Sequence, residues 1–575
     1  MLTARRSDGR TVASSATEQA AMTGDPRPPH RRRTRMRSRS GDELQQPAES
    51  GSLVRGQLPA AAGTVVAVDG VQCPCGLCGE RLGDLFDAAG EQHAPRPVGI
   101  ADHERLHASQ HLAGVYKQKA ECAPSFAGGA GMRPPTQGDR MIEVRGDVDV
   151  RAVEQLQRCA EAGDAVAAVM CADGHVGYSQ PIGGAIAYRD KISPSGVGYD
   201  IGCGNKAVQT RVLAADVELP AIMDEIVRRI SFGMGRVNDE PIDHPVLDAI
   251  RDADFAPQRG LRDLAAKQLG TVGAGNHYVD LFRDDDGWLW IGVHFGSRGF
   301  GHKTASGFLA VAEGKRFGEH ATEGEMDSPP ILFDTSSDLG QAYIAAMTLA
   351  GDYAYAGRDV VVDKVLEILG ATSTYEVHNH HNFAWRETHF GEDMWVIRKG
   401  CTPAMPGQQG FVGATMGEPS VILEGIESDA SASLLYSTVH GAGRVMSRTQ
   451  AAGKSKRRKV WECSERDCAY RAPLDRQREG GGPIPCPEHQ GIRKMQKRWL
   501  TEKVRDGEID WTATLADLAA AGIELRGGAA DEAPGAYKRL DVVLDHHADT
   551  IRVLHRLHPI GVAMAGPDTY DPFKD

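Results

Sequence analysis

Apolar residues along the chain fall into short runs with two different periods. The blocks AVAAVMC at 165–171, WLWIGVHF at 288–295, DMWVIRK at 393–399 and SVILEGI at 420–426 read as strands. LPAIMDEIVRRI at 219–230 and the long GQAYIAAMTLAGDYAYAGRDVVVDKVLEIL at 340–369 carry helical spacing. From Met141, MIEVRGDVDVRAVEQLQRCA predicts a strand, a turn and an amphipathic helix. Near the end, KRLDVVLDHHADTIRVLHRL sets Leu540, Leu544, His547, Ile551 and Leu554 on one helical face, which predicts a helix there. The alternation is too irregular for a parallel βαβ series, and no repeat of about 20–50 residues recurs. The expected class is therefore α+β, a mixed core of sheets flanked by helices.

The same pattern divides the chain. Residues 1–60, rich in Arg, Ser, Pro and Gly, predict a disordered basic tail; 61–138 form an accessory segment of unclassified fold. The main core is expected over 139–450 and 497–575, with 451–496 as an insertion. No run reaches the ~18 apolar residues of a membrane span, and no apolar stretch follows the arginine-rich start, so neither a membrane location nor secretion is expected.

Charge and cysteine content sharpen this. The net charge of −13 hides local excesses of +5 over 1–55 and +7 over 451–500, leaving the rest near −25. On charge alone, acidic bulk with basic islands suits equally an enzyme that docks a polyanion locally and a chain with two solvated basic surface segments. Eleven cysteines without a secretory signal point to a reducing, cytoplasmic setting in which thiols serve metals or chemistry. Glycine, 67 of 575 residues, gathers in short polar loops where backbone N–H groups can approach anions.

Those loops carry the candidate chemistry. GVGYDIGCGNK places Asp200 and Cys203 three residues apart, and GTVGAGNH leads through three glycines to Asn276 and His277. VHFGSRGFGHK ends an apolar strand at His294, with Arg298 free to fork onto phosphate. EVHNHHNFAWRE offers His378, His380 and His381, of which alternation lets only one or two face a site. STVHGAGRVMSR sets His440 in a glycine turn. Asp200, Cys203, His277, His294 and one of the 378–381 histidines make a mixed O/N/S ligand set in which one thiolate bridges two metals; Mn²⁺, Fe²⁺ and Zn²⁺ all suit such donors.

In the same order, these motifs resemble those of the RtcB family of RNA ligases: D-x-x-C at 200–203, G-x-x-G-x-G-N-H at 270–277, H-x-G-S-R-G at 294–299, H-N at 381–382, R-K-G at 398–400 and H-G-A-G-R at 440–444. DEAPGAYK at 531–538 resembles a later family motif, and the likeness spans about 139–566, broken by the insertion. The resemblance implies two Mn²⁺ and GTP. It makes Cys203 the bridge, Asp200 and His277 one site's further ligands, His294 and His381 the other's, and His440 the histidine that takes up GMP. Asn276, Gly413, Ala414, Thr415, Met416, Ser420, Gly441, Ala442 and Gly443 match nucleotide contacts, and Arg298, Lys399 and Arg444 match positions near phosphates. The implied reaction joins RNA 3′-phosphate or 2′,3′-cyclic phosphate ends to 5′-hydroxyl ends, in splicing or repair, with an archease-type activator as a partner. A phosphoesterase acting on RNA ends with the same metals, or a non-catalytic RNA-binding paralogue, are the competing readings; a nucleophilic histidine in a glycine turn favours the ligase. Three positions depart from the family's pattern. Ala172-Asp173-Gly174-His175 replaces P-D-V-H, GATMG at 413–417 replaces P-G-S-M-G, and GVAMAG at 561–566 lacks the lysine many members place on the guanine.

Within the insertion, Cys463-x4-Cys468, seventeen residues and Cys486-x2-His489 have the two-knuckle spacing of a structural zinc ribbon. Cys73, Cys75 and Cys78, with His93 nearby, form a second cluster that lacks an obvious fourth ligand.

Overall fold

The computed structural model describes residues 141–567, apart from 322–325, 466, 479–480, 490 and 492–493, together with 569. The expected tail at 1–60, the accessory segment at 61–138 and the Cys73/Cys75/Cys78 cluster lie outside the described residues.

Two large sheets form the core. A five-stranded sheet runs in the order Met141–Val144, Ala165–His175, Ile182–Tyr188, Glu392–Lys399, Asn382–His389. Its first pair is parallel and bridged by the helix Val150–Glu161, which buries Leu156 and Cys159 and is capped by Asp149 accepting from Arg151 N–H. Ala165–His175 is buried along all but its last residue, the burial expected of an unbroken apolar run. The second sheet runs Gln409–Val412, Ser420–Gly425, Ile551–Met564, Tyr278–Arg283, Trp288–His294, Gly204–Leu213, Ser373–His380, with Glu524–Arg526 parallel beside Ile551–Met564. The mixed α+β expectation holds, and the strands near 165, 288, 393 and 420 lie where the apolar blocks put them.

The helix Asp338–Leu369 starts at Ser337, whose hydroxyl accepts from Gly340 N–H, and stops at Gly370, which adopts the left-handed conformation at φ 59°. Small residues on one side, Ala350, Gly351 and Ala354 among them, are buried and let it lie close to the sheets' junction. That junction matters for function. The chain passes from Ser373–His380 in one sheet to Asn382–His389 in the other through a single residue, His381.

Two expectations are corrected. The helix predicted across 540–554 is a short helix, Leu540–Asp545, followed by a turn and the long strand Ile551–Met564. Isoleucine, valine and leucine in IRVLHRL fit both periods, and pairing of 551–557 with Ser420–Gly425, continued by 558–564 against Tyr278–Arg283, selects the strand. The insertion also runs further than 496. Lys454–Cys463 pairs antiparallel with Met495–Arg505, so residues 497–505 belong to that arm and not to the core's C-terminal part.

Candidate metal and nucleotide centre

Strand registry brings the predicted ligands to one edge. His294 ends Trp288–His294 and lies opposite both Tyr278 and Asn205 on the neighbouring strands. His277 immediately precedes Tyr278, and Cys203 immediately precedes Gly204, which pairs with His380. His381, one residue on, donates its backbone N–H to Cys203 O at 2.8 Å. Gly296 is required beside this cluster: a Cβ there would sit 2.3 Å from Asp200 Oδ1.

The ligand atoms converge as two triads that share a thiol. Asp200, Cys203 and His277 form one group and Cys203, His294 and His381 the other, with the atoms of each within 4.8 Å of one another. Cys203 Sγ lies 3.7 Å from His277 Nε2 and 3.3 Å from His294 Nε2, and His277 Nε2 is 3.1 Å from Asp200 Oδ2. Burial opposes ionisation of Asp200, but the hydrogen bond and charge of His277 outweigh it and hold the carboxyl down to about 2. Burial and the neighbouring Asp200 push the Cys203 thiol well up, and burial lowers His294 and His381 well below their ordinary range. Two buried ring nitrogens, Nδ1 of His277 and of His381, have no hydrogen-bond partner among the described residues. Three imidazoles, a carboxylate and a thiol fit two divalent ions around a shared sulfur.

Behind this cluster, the guanidinium of Arg358 is fully buried on the long helix. It donates to Gly202 O at 2.9 Å and Phe295 O at 2.6 Å, tying the Cys203 and His294 loops together. Its remaining nitrogens meet His378 Nε2 at 2.8 Å and His380 Nδ1 at 3.0 Å. Of the three clustered histidines, then, His381 alone enters the ligand set.

His440 follows the strand Ser437–Val439 and is held by a residue to which the sequence assigned no role. Asp173 Oδ2 accepts from His440 N–H at 2.9 Å, from His440 Nδ1 at 2.6 Å and from Gly441 N–H at 3.3 Å. Asp173 is completely buried; burial works against its ionisation, and the charge and hydrogen bonds of His440 nonetheless keep its carboxyl below the usual range. An ionised acceptor at Nδ1 fixes a proton there, so that in the neutral ring the lone pair lies on Nε2. The His381 and His440 rings lie 5.0 Å apart, so this imidazole adjoins the ligand cluster.

Asp200, Cys203, His277, His294, His381 and His440 open onto one cavity of about 890 Å³. Asn276, the 413–416 loop, Gly441, Ala442 and Gly443 line it, as do Lys399 and Arg444. Burial lowers the Lys399 ammonium to about 8. Arg444 is braced by the 531–538 motif, donating to Tyr537 Oη at 2.7 Å and Asp531 O at 2.6 Å, with its guanidinium 4.7 Å from the Tyr537 ring centroid. Two expected contacts act from behind the wall. Ser420 Oγ accepts from Ala414 N–H at 3.0 Å and shapes the 413–417 loop. Arg298 donates to Gly233 O at 3.2 Å and Val272 O at 3.4 Å and supports the glycine loop from below. In R-K-G, Arg398 is a fully buried partner of Glu387, bonded twice at 2.6 and 2.8 Å. Val562 and Met564 give the cavity an apolar wall in the segment where the family's lysine is missing.

A two-part ligand set facing a carboxylate-held imidazole, walled by backbone amides and cations, has the make-up of an enzyme site for phosphoryl chemistry. Comparison with known proteins narrows the class. The family described as tRNA-splicing ligase RtcB matches residues 155–255 and 248–477. RNA-splicing ligase RtcB of Escherichia coli (strain K12) is 30% identical over 308 residues, covering 48% of this chain and 74% of that protein. tRNA-splicing ligase RtcB of Archaeoglobus fulgidus is 29% identical over 514 residues, covering 75% and 95%. RNA-splicing ligase RtcB of Mycobacterium tuberculosis is 28% identical over 476 residues, covering 68% and 94%. The chain belongs to the RtcB family.

Proposed function

We propose that this protein is a GTP- and Mn²⁺-dependent RNA ligase that joins 3′-phosphate or 2′,3′-cyclic phosphate ends to 5′-hydroxyl ends through guanylylated His440. The observation that carries the reading is the Asp173 clamp on His440. Two N–H groups of one histidine and that of the next residue converge on a single buried carboxylate oxygen beside the ligand triads. A merely structural histidine has no need of a fixed tautomer with its lone pair left free.

The chain's own groups divide the work. With Nδ1–H held by Asp173, His440 Nε2 attacks the α-phosphorus of GTP, and the bond to pyrophosphate breaks. Asp173 stabilises the positive charge that develops on the ring. An oxygen of the RNA 3′-phosphate then attacks the phosphorus of the phosphoramidate, and Nε2 leaves with its electron pair. Finally the 5′-hydroxyl oxygen attacks the activated RNA phosphate; it loses its proton, the phosphodiester forms and GMP departs. A cyclic phosphate is first opened by water to the 3′-phosphate. Asp200, Cys203, His277, His294 and His381 would hold two Mn²⁺, which when bound neutralise charge on the transferred group and on pyrophosphate. Lys399 and Arg444 offer cations at the cavity wall to phosphate oxygens.

For the base, Thr415 Oγ1, Tyr278 Oη and Asp280 Oδ1 are buried polar atoms on cavity-lining residues, with no partner among the described residues. Such groups favour a ligand that satisfies them and reject one that does not. They supply the polar contacts for guanine in place of the absent lysine. A cytoplasmic setting agrees with the seven cysteines among the described residues, all of which are free thiols. An archease-type activator belongs to the same reading.

The test is incubation of the protein with Mn²⁺ and α-labelled GTP. The ligase reading expects acid-labile label on the protein, discharged by RNA bearing a 3′-phosphate. A phosphoesterase would open cyclic phosphate ends and never acquire label.

A further inference from the structure

Outside the two main sheets, Lys454–Cys463, Arg471–Pro473 and Met495–Arg505 make a three-stranded arm. At one end of it, Cys463, Cys468, Cys486 and His489 bring their ligand atoms within 4.8 Å of one another. Cys468 Sγ and Cys486 Sγ are 3.7 Å apart, and His489 Nδ1 lies 3.5 Å from Cys463 Sγ and 3.6 Å from Cys486 Sγ. A tetrahedral zinc with Zn–S of about 2.3 Å and Zn–N of about 2.0 Å has edges of about 3.8 Å between sulfurs and about 3.5 Å between sulfur and nitrogen. The observed separations match those edges and are far longer than the ~2.05 Å of a disulfide. Among the described residues the arm's own apolar cluster is Trp461, Ala472, Met495 and the cysteines, edged by the partly buried Tyr470, Leu474 and Ile484, a core too small to hold a fold unaided.

Alternation along the paired strands sorts the charges by face. Arg458 pairs with Glu502 and Arg498 with Glu462 on one side. The other side of the register, residues 455, 457, 459, 461 and 463 opposite 503, 501, 499, 497 and 495, holds no acidic residue. There Trp499 is 55% exposed, with the Arg457 guanidinium 5.2 Å and the Lys459 ammonium 4.9 Å from its ring centroid. A large exposed aromatic flanked by cations is what an unpaired base and its phosphates require: a face to stack on and charge beside it. The arm also springs from the cavity's rim. Arg448 and Gln450 line the cavity a few residues before the arm begins, and Glu508 N–H donates back to Gln450 O at 3.0 Å as the arm returns.

We propose that Cys463, Cys468, Cys486 and His489 hold a structural Zn²⁺, and that the arm it clamps is a docking surface for a single-stranded segment of RNA, centred on Trp499, Arg457 and Lys459. The choice of RNA as the polyanion rests on the ligase reading; the zinc site does not.

The full-length protein, purified under reducing conditions, should retain one zinc through dialysis against Mn²⁺, and Cys468→Ser should lose it. Binding of an oligo-uridine with a 3′-phosphate, followed by fluorescence anisotropy, should weaken roughly 5- to 150-fold in Trp499→Ala, the range expected for loss of one stacking partner. Lys459→Gln should weaken it and flatten its salt dependence. A duplex RNA of equal length should bind both variants and wild type alike. Label transfer from GTP should be unchanged in all three variants. Protein without zinc overturns the metal site. Unchanged oligo-uridine binding in Trp499→Ala overturns the docking surface, leaving a protein partner for that face. If wild type takes no label from GTP yet holds zinc and binds the RNA through Trp499, the ligase reading fails and this one stands.

Discussion

Replacing Asp173 by Asn keeps the shape of the clamp and removes its charge. A hydrogen bond to a charged acceptor contributes about 1.5–3 kcal/mol against about 0.5–1.5 kcal/mol for a neutral one. Asp173 accepts three such bonds, of which the 2.6 Å bond to His440 Nδ1 acts directly on the nucleophile. Losing the charge at that bond, together with its support for the ring's developing positive charge, costs about 2–4 kcal/mol in the transition state, roughly 30- to 900-fold in rate. The amide can also turn its NH₂ toward the ring, which would place the proton on Nε2 and occupy the lone pair. The assay is the initial rate of label transfer from α-labelled GTP at saturating Mn²⁺, with metal content measured on the same sample. A Asp173→Asn protein that keeps its metals and labels within threefold of wild type would refute the claim that Asp173 sets the tautomer of His440.

Other consequences can be read from the same geometry. Cys203→Ala should lower manganese content at both sites together, since one sulfur belongs to both triads; metal analysis showing loss of a single ion would contradict the shared ligand. Arg398→Met leaves the buried Glu387 carboxylate without its bidentate partner and should cost about 3–5 kcal/mol, read as a large fall in Tm. Burial opposes ionisation of Glu387, but Arg398 and His389 hold its folded-state carboxyl below the ordinary value. Its pairing therefore stabilises fully above the unfolded carboxylate range near pH 4 and is lost as pH falls through the lower folded value. Chemical-denaturant stability should decline on that acid side in wild type and much less in Glu387→Gln.

What the sequence made legible was the chemistry carried by short loops. Asp200, Cys203, His277, His294 and His440 stand beside glycines whose backbone paths the side chains depend on, so motif and geometry coincide. Residues that act across long sequence distances were not legible. Asp173 reaches His440 over 267 positions and Arg358 reaches Gly202 over 156, and the local sequence does not say which distant partner a buried charge meets. One signal did exist for Asp173, a carboxylate near the end of an otherwise apolar strand, where an unpaired charge would be too costly to bury. His378 and His380 looked like ligand candidates because imidazole serves equally as a scaffold for Arg358. At 551–554 the local pattern favours a helix because IRVLHRL satisfies both periods, and only its pairing with the distant strand Ser420–Gly425 decides for the strand.

The central claim, that His440 carries GMP to RNA, is tested most directly by His440→Ala. His440 is outside both ligand triads, so the variant should keep its metals. It should take no label from GTP and join no 3′-phosphate end to a 5′-hydroxyl end, yet still seal an RNA supplied with its 3′-phosphate already guanylylated, because that step needs only the metals and positioning. A variant that still takes acid-labile label from GTP, or that ligates 3′-phosphate ends at the wild-type rate, would contradict the account.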